Sequence, residues 1–205
     1  MIHAFIHGFI LALGLILPLG AQNIFIFNQG AVQPRFHLAL PAILTAFACD
    51  TILITLAVLG VSVVVFQIIW LKKLLFLVGL FFLLYIGWQT WRAVGVNSGK
   101  DATPLSGKKQ MLFASSVSLL NPHAIMDTIG VISTNSLGYA GNAKLAYTLA
   151  CISVSCLWFF GLAIAGKLLR HMDQSGRWMQ MINRVSALLI WGVAMYMAAL
   201  FLSQQ

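Results

Sequence analysis

Six long apolar stretches, at residues 2–27, 38–68, 71–91, 111–134, 145–166 and 181–202, limit what this chain can fold into. A helix crosses the roughly 30 Å hydrocarbon core of a bilayer with about 20 apolar residues. Lipid offers no partner to an unpaired backbone group, so only helices and closed barrels span it. Barrel strands alternate over about ten residues, whereas these stretches are apolar on every side. The sequence therefore predicts an all-α, polytopic membrane protein with six transmembrane helices. The second stretch is too long for one upright helix and is expected to tilt, break or run into the interface. Composition agrees: 8% of residues are charged, against about 25% in soluble domains.

Twelve Lys and Arg against four Asp and no Glu give a formal net charge of +8. These cations sit at the ends of apolar stretches, as in membrane proteins, so the expected partner is the lipid bilayer and not nucleic acid. The loops after stretches one, three and five carry nine Lys or Arg (Arg35; Arg92, Lys100, Lys108, Lys109; Lys167, Arg170, Arg177, Arg184), and the other two loops carry three (Lys72, Lys73, Lys144). The positive-inside rule then puts the first set in the cytoplasm and both termini outside. Trp70, Trp91, Trp178, Tyr139 and Tyr147 lie near stretch edges, as an aromatic belt would. The first stretch lacks the basic n-region of a signal peptide and is read as a retained span. Cys49, Cys151 and Cys156 read as small buried hydrophobes. With no CxxC or Cys/His cluster, neither a metal nor a cofactor is expected.

Residues 94–110, rich in Gly, Ser, Asn and Pro, read as a cytoplasmic linker. They divide the chain into a first three-helix repeat (1–93) and a second (111–205). Pro18 and Pro122 are 104 residues apart, as are Asn23 and Asp127. Leu56-Ala57-Val58-Leu59-Gly60 resembles Leu162-Ala163-Ile164-Ala165-Gly166 at an offset of 106, and Tyr85 and Tyr196 fall in comparable places. A three-span unit repeated once must insert in opposite orientations, which is the inverted-repeat plan of many secondary transporters.

Polar residues interrupt the apolar pattern at three places. In the first stretch, Pro18 lacks an N–H and clashes with the carbonyl of Gly14, Gly20 weakens the helix further, and Gln22 and Asn23 follow at once. In the fourth, Asn121 and Pro122 precede His123 and Asp127, which share a helix face. Freed backbone groups in lipid need protein or a watery cavity, so both breaks suggest a lined cavity. Kinked helices with amides bonded to their neighbours are the plainer alternative. The third place is Asp50, with no other charge for more than ten residues on either side. A carboxylate at a helix centre costs roughly 2.5–3.5 kcal/mol on insertion scales, so it usually faces an ion or substrate path. Helix N-termini after the breaks suit a carboxylate, while Asp50 and Asp127 suit a cation or a coupled proton. Ser115, Ser116 and Ser118 read as helix-packing residues. The substrate or translocation set is thus Pro18, Gly20, Gln22, Asn23, Asp50, Asn121, Pro122, His123 and Asp127.

These residues carry a resemblance. Leu17-Pro18-Leu19-Gly20-Ala21-Gln22-Asn23, Asn28-Gln29-Gly30, Asn121-Pro122-His123 and Asp127-Thr128 resemble the lysine exporter (LysE) family, in its lysine/arginine exporter branch, with Asp50 and Trp158-Phe159-Phe160-Gly161 in support. The likeness covers nearly the whole chain. It implies export of basic amino acids from the bacterial cytoplasm across the inner membrane, driven by an ion gradient or the membrane potential. The homoserine and threonine branch typically has Pro-Gly-Pro-Asn and Asn-Pro-Lys at the two breaks, where this chain has Gln22-Asn23 and His123. Ala21 stands where the family pattern usually has a second proline, which leaves the first break less enforced.

Other functions are weaker readings. A divalent-cation exporter would need more ligands than Asp50, Asp127 and His123, and His3 and His7 read as interfacial. A neutral amino acid such as threonine or homoserine is a further alternative substrate. No HExxH or GxSxG motif suggests an enzyme, so no catalytic residue is expected. A non-transporting assembly subunit would not need paired breaks and intramembrane acids. A coupling proton and a homo-oligomer are both compatible with the sequence, which does not choose between arginine and lysine.

Overall fold

The computed structural model describes residues 1–17, 20–60, 69–96, 104–120, 125, 128–172 and 177–203. Helices dominate, and no strand occurs among the described residues. The first stretch is not one helix. Helix α1 (Ile2–Ile16) and helix α2 (Ala21–Val32) have axes 82° apart, on either side of the expected break. A 3-10 turn (Phe36–Ala39) leads into α3 (Leu40–Val58), where Pro41 occupies the first turn and costs no hydrogen bond. Helix α3 stops at Gly60, whose φ of +78° suits a residue without Cβ. Helix α4 spans Ile69–Val96, α5 spans Gly107–Leu119, and a π-helical turn (Thr128–Ile132) precedes the short α6 (Ser133–Ser136). Helices α7 (Gly141–Met172) and α8 (Arg177–Ser203) complete the chain.

Two of these segments, Phe36–Val58 and Gly141–Met172, are long and apolar enough to cross a membrane, and the bent α1–α2 pair makes a third when it is counted as one span. Among the described residues this accounts for three of the six expected spans; α4 and α8 have 28 and 27 residues. Helix α5 begins inside the expected linker, because Pro104 and Ser106 precede it and Gly107 opens the helix instead of interrupting it.

Helix α7 is the central post, contacting α1, α2 and α3, while α3 packs on α5 and on the π turn. Helices α4 and α8 pair at the flank, with Trp91 stacked on Trp191 at 5.7 Å. The closest approaches use residues without bulk. Helix α1 turns Ala4, Gly8 and Ala12 inward and Ile2, Ile6 and Ile10 outward. A Cβ on Gly8 would lie 2.7 Å from the Tyr147 carbonyl oxygen. Small residues of this kind let helix backbones meet where no hydrophobic force from water drives them together.

Three apolar clusters result. One joins α2, α3, α5 and α7 through Ile26, Ala46, Ala114 and Phe159. A second joins α1, α3, the π turn and α7 through Ala12, Ile54, Ile132 and Cys151. The third docks α4 and α8 on α2 and α5 through Ile24, Leu83, Val117 and Ile190.

Candidate functional site

Asp50 falls between the first two clusters. On α3 it stands one turn from Ala46 of the first and one turn from Ile54 of the second. Ser155 on α7 is placed alike, between Cys151 and Phe159. The side-chain amide of Gln22, in the first turn of α2, donates to Asp50 Oδ1 at 3.0 Å, and the Ser155 hydroxyl lies beside the carboxylate. Gln22 and Ser155 are buried, while Asp50 keeps partial exposure. The result is a thin polar layer between two apolar ones, with Asp50 its least covered residue. Charge buried in this way persists when it is hydrogen-bonded.

Gly20 is the N-cap of α2, with extended backbone (φ −83°, ψ 175°), and among the described residues no side chain caps the helix. The N–H groups of that first turn carry partial positive charge. They lie beside Gln22, and therefore beside Asp50. Asn23 turns the other way. Its Nδ2 donates to the carbonyl of Ile16 at 2.8 Å, satisfying an acceptor that the end of α1 leaves free. Asn28 and Gln29 also bond within the bundle, Asn28 to Asn183 Oδ1 at 3.1 Å and Gln29 to the amide of Gln33 at 3.3 Å.

Beyond the first apolar cluster, one end of the bundle is closed by amides and a lysine. Lys167 Nζ donates to the carbonyls of Gln33 (3.0 Å) and Pro34 (2.8 Å), at the C-terminal end of α2, where a cation is favoured. Gln33 and Gln110 both donate to the Leu105 carbonyl, and Gln110 also to that of Leu38. Phe25 and Phe113 meet as tilted rings between this clasp and the polar layer, with centroids 4.3 Å apart. At the opposite end, His7 Nδ1 lies 2.9 Å from the Tyr139 hydroxyl, and their rings share a cluster with Tyr147.

Of the expected site residues, the structure brings Gly20, Gln22, Asn23 and Asp50 to one region. Pro18, Asn121, Pro122, His123 and Asp127 lie outside the described residues. Sequence reading missed Ser155 and Lys167. A serine on an apolar helix reads as packing, and a lysine at a helix end as a flank. The one available signal was the spacing of Ser155 from Asp50, 105 residues, close to the repeat offset.

Apolar helices around a hydrogen-bonded interior carboxylate define a class: a helical membrane translocator. The chain belongs to the LysE type translocator family, whose model matches residues 13–200. It is 52% identical over 194 residues to "Putative amino-acid transporter YisU" of Bacillus subtilis (strain 168), covering 95% of this chain and 88% of that one. It is 31% identical over 202 residues to "Arginine exporter protein ArgO" of Pectobacterium carotovorum subsp. carotovorum (strain PC1), covering 97% and 98%. The protein of the same name from Salmonella typhimurium (strain LT2) is 32% identical over 203 residues, covering 97% and 94%. No solved structure matches the chain.

Proposed function

We propose that this translocator exports basic amino acids, arginine or lysine, from the bacterial cytoplasm, with a proton or the membrane potential as driving force. The observation that carries this reading is Asp50, hydrogen-bonded to Gln22 at the uncapped start of α2. A carboxylate beside a positive helix terminus is complementary to a zwitterion: the substrate's ammonium group meets Asp50 and its carboxylate meets the N–H groups of Ala21 and Gln22. The substrate path comprises Pro18, Gly20, Gln22, Asn23 and Asp50 from the first half and Asn121, Pro122, His123 and Asp127 from the second. The names of the relatives support an amino acid substrate, and those of the more distant ones support arginine.

The architecture belonging to this function is six spans in two inverted halves, 1–93 and 111–205, joined by a cytoplasmic linker at 94–110. Helix pairing supports it. Exchanging the halves turns the packing of α1 and α2 on α7 into that of α5 and the π turn, respectively, on α3, and both pairings occur. The pair α2–α5 becomes that of the π turn with α1, which occurs, while α3–α7 and α4–α8 map onto themselves and occur as well. Both termini face outward, so the clasp around Lys167 closes the cytoplasmic side, and its release admits substrate.

The test is counterflow of labelled arginine, lysine and threonine in proteoliposomes of the purified full chain. Exchange of arginine or lysine well above threonine supports the reading; threonine exchange alone, or none, overturns it.

A further inference from the structure

We infer that Ser118 is a substrate-contact residue, and that the polar layer it completes recognises a primary ammonium group and not a guanidinium. This rests on the amino acid export proposed above.

Four helices build the layer in one register. Gln22, Asp50, Ser118 and Ser155 each stand four residues, one helical turn, from a buried member of the first apolar cluster: Ile26, Ala46, Ala114 and Phe159. In every case the apolar residue lies on the side of the Lys167 clasp. This register sets Ser118 level with Asp50, and Ser118 and Ser115 both lie beside the thiol of Cys49, the residue before Asp50.

Ser118 does not behave as a packing serine. Ser115 and Ser116, on the same helix, return their hydroxyls to the carbonyls of Met111 and Leu112, four residues back. That is the ordinary resting place of a serine on an apolar helix. Ser118 is 1% exposed, and its Oγ has no hydrogen-bond partner among the described residues. The adjacent thiol is only a weak donor. A buried hydroxyl without a proper bond, on a helix where that bond is free to form, needs an explanation. A ligand seated in the layer supplies one.

The geometry of the acceptors points to the ligand. A guanidinium pairs with a carboxylate as a planar fork that takes both oxygens together. Asp50 Oδ1 already accepts Gln22 Nε2, and Ser155 crowds the same carboxylate. An ammonium group presents three diverging N–H donors from one point and needs no fork. The remaining capacity of Asp50 on α3 and the open Oγ of Ser118 on α5 offer acceptors from separate helices. Every amino acid carries this group, so the layer reads what all substrates share. Discrimination between side chains then falls to residues beyond it.

The experiment uses the full chain in proteoliposomes, with labelled arginine in counterflow and unlabelled competitors. On the wild type, lysine should compete, whereas Nα-acetylarginine, which keeps the guanidinium and lacks the ammonium, should not. Competition by Nα-acetylarginine equal to that of arginine overturns the inference. Ser118→Ala should raise the KM for arginine about tenfold with the maximal rate kept within about twofold, and Ser118→Thr, which retains the hydroxyl, should restore it. An unchanged KM in Ser118→Ala overturns the contact. If Ser118→Ala does not fold, the competitor series on the wild type still decides. A wild type that moves no amino acid at all sinks the export reading itself, an outcome distinct from both.

Discussion

Gly30 on α2 meets Ala163 on α7 backbone to backbone: a Cβ on Gly30 would lie 2.6 Å from the Ala163 Cα. Gly166, one turn along α7, closes on Phe27 in the same way, with that residue's carbonyl carbon 3.0 Å from its ideal Cβ position. Two glycines on opposite sides of one crossing hold α2 against the central post. Since α2 carries Gln22, this crossing sets the height of the polar layer.

Adding a methyl group at this crossing should therefore be costly. Gly30→Ala and Gly166→Ala are each expected to destabilise by about 1–3 kcal/mol, the usual result of overpacking. Gly161→Ala, where nothing lies within 4 Å, should be harmless. Thermal unfolding midpoints in detergent check this; equal midpoints for all three variants would mean that the helices are not so close.

Asp50→Asn removes the charge but keeps the shape and the hydrogen bond from Gln22. Arginine exchange should fall by at least tenfold, about 1.4 kcal/mol, while the amount of protein in the membrane stays the same. Gln22→Leu should fall less, because the carboxylate remains. Exchange at the wild-type rate in Asp50→Asn would remove this residue from the substrate path.

Asn23 tests the break itself. Its amide serves the Ile16 carbonyl, and a carboxylate cannot donate, so Asn23→Asp should be no better than Asn23→Ala. Each should cost about 1–3 kcal/mol, the penalty for stranding a buried acceptor. A fully stable Asn23→Asp would show that water already serves that carbonyl.

Lys167→Met releases the carbonyls of Gln33 and Pro34, next to the exposed Arg35. Trypsin should cut after Arg35 faster in this variant, and only in inside-out vesicles. Cleavage confined to right-side-out vesicles would reverse the proposed orientation of the chain.

The membrane class of this protein was legible in its sequence because lipid imposes a blunt rule: the stretches must be apolar and helical, and composition alone displays that. The break after Leu17 was legible too. Proline and glycine act on their own backbone, so no neighbour is needed to see the effect. Asp50 stood out because charge in an apolar stretch is costly wherever the helix goes.

Only the tertiary structure decided which hydroxyls share the level of that carboxylate. Ser115, Ser116 and Ser118 are alike in sequence, and the crossing of α3 with α5 brings Ser118 level with Asp50 while the other two bond back to their own helix. The same holds for Ser155 and Lys167, whose partners are more than 100 residues away. A residue's type fixes what it can bond, but the rotation and depth of its helix fix what it meets. Those are set by where the glycines allow backbones to touch, a property of pairs of helices and not of any one stretch.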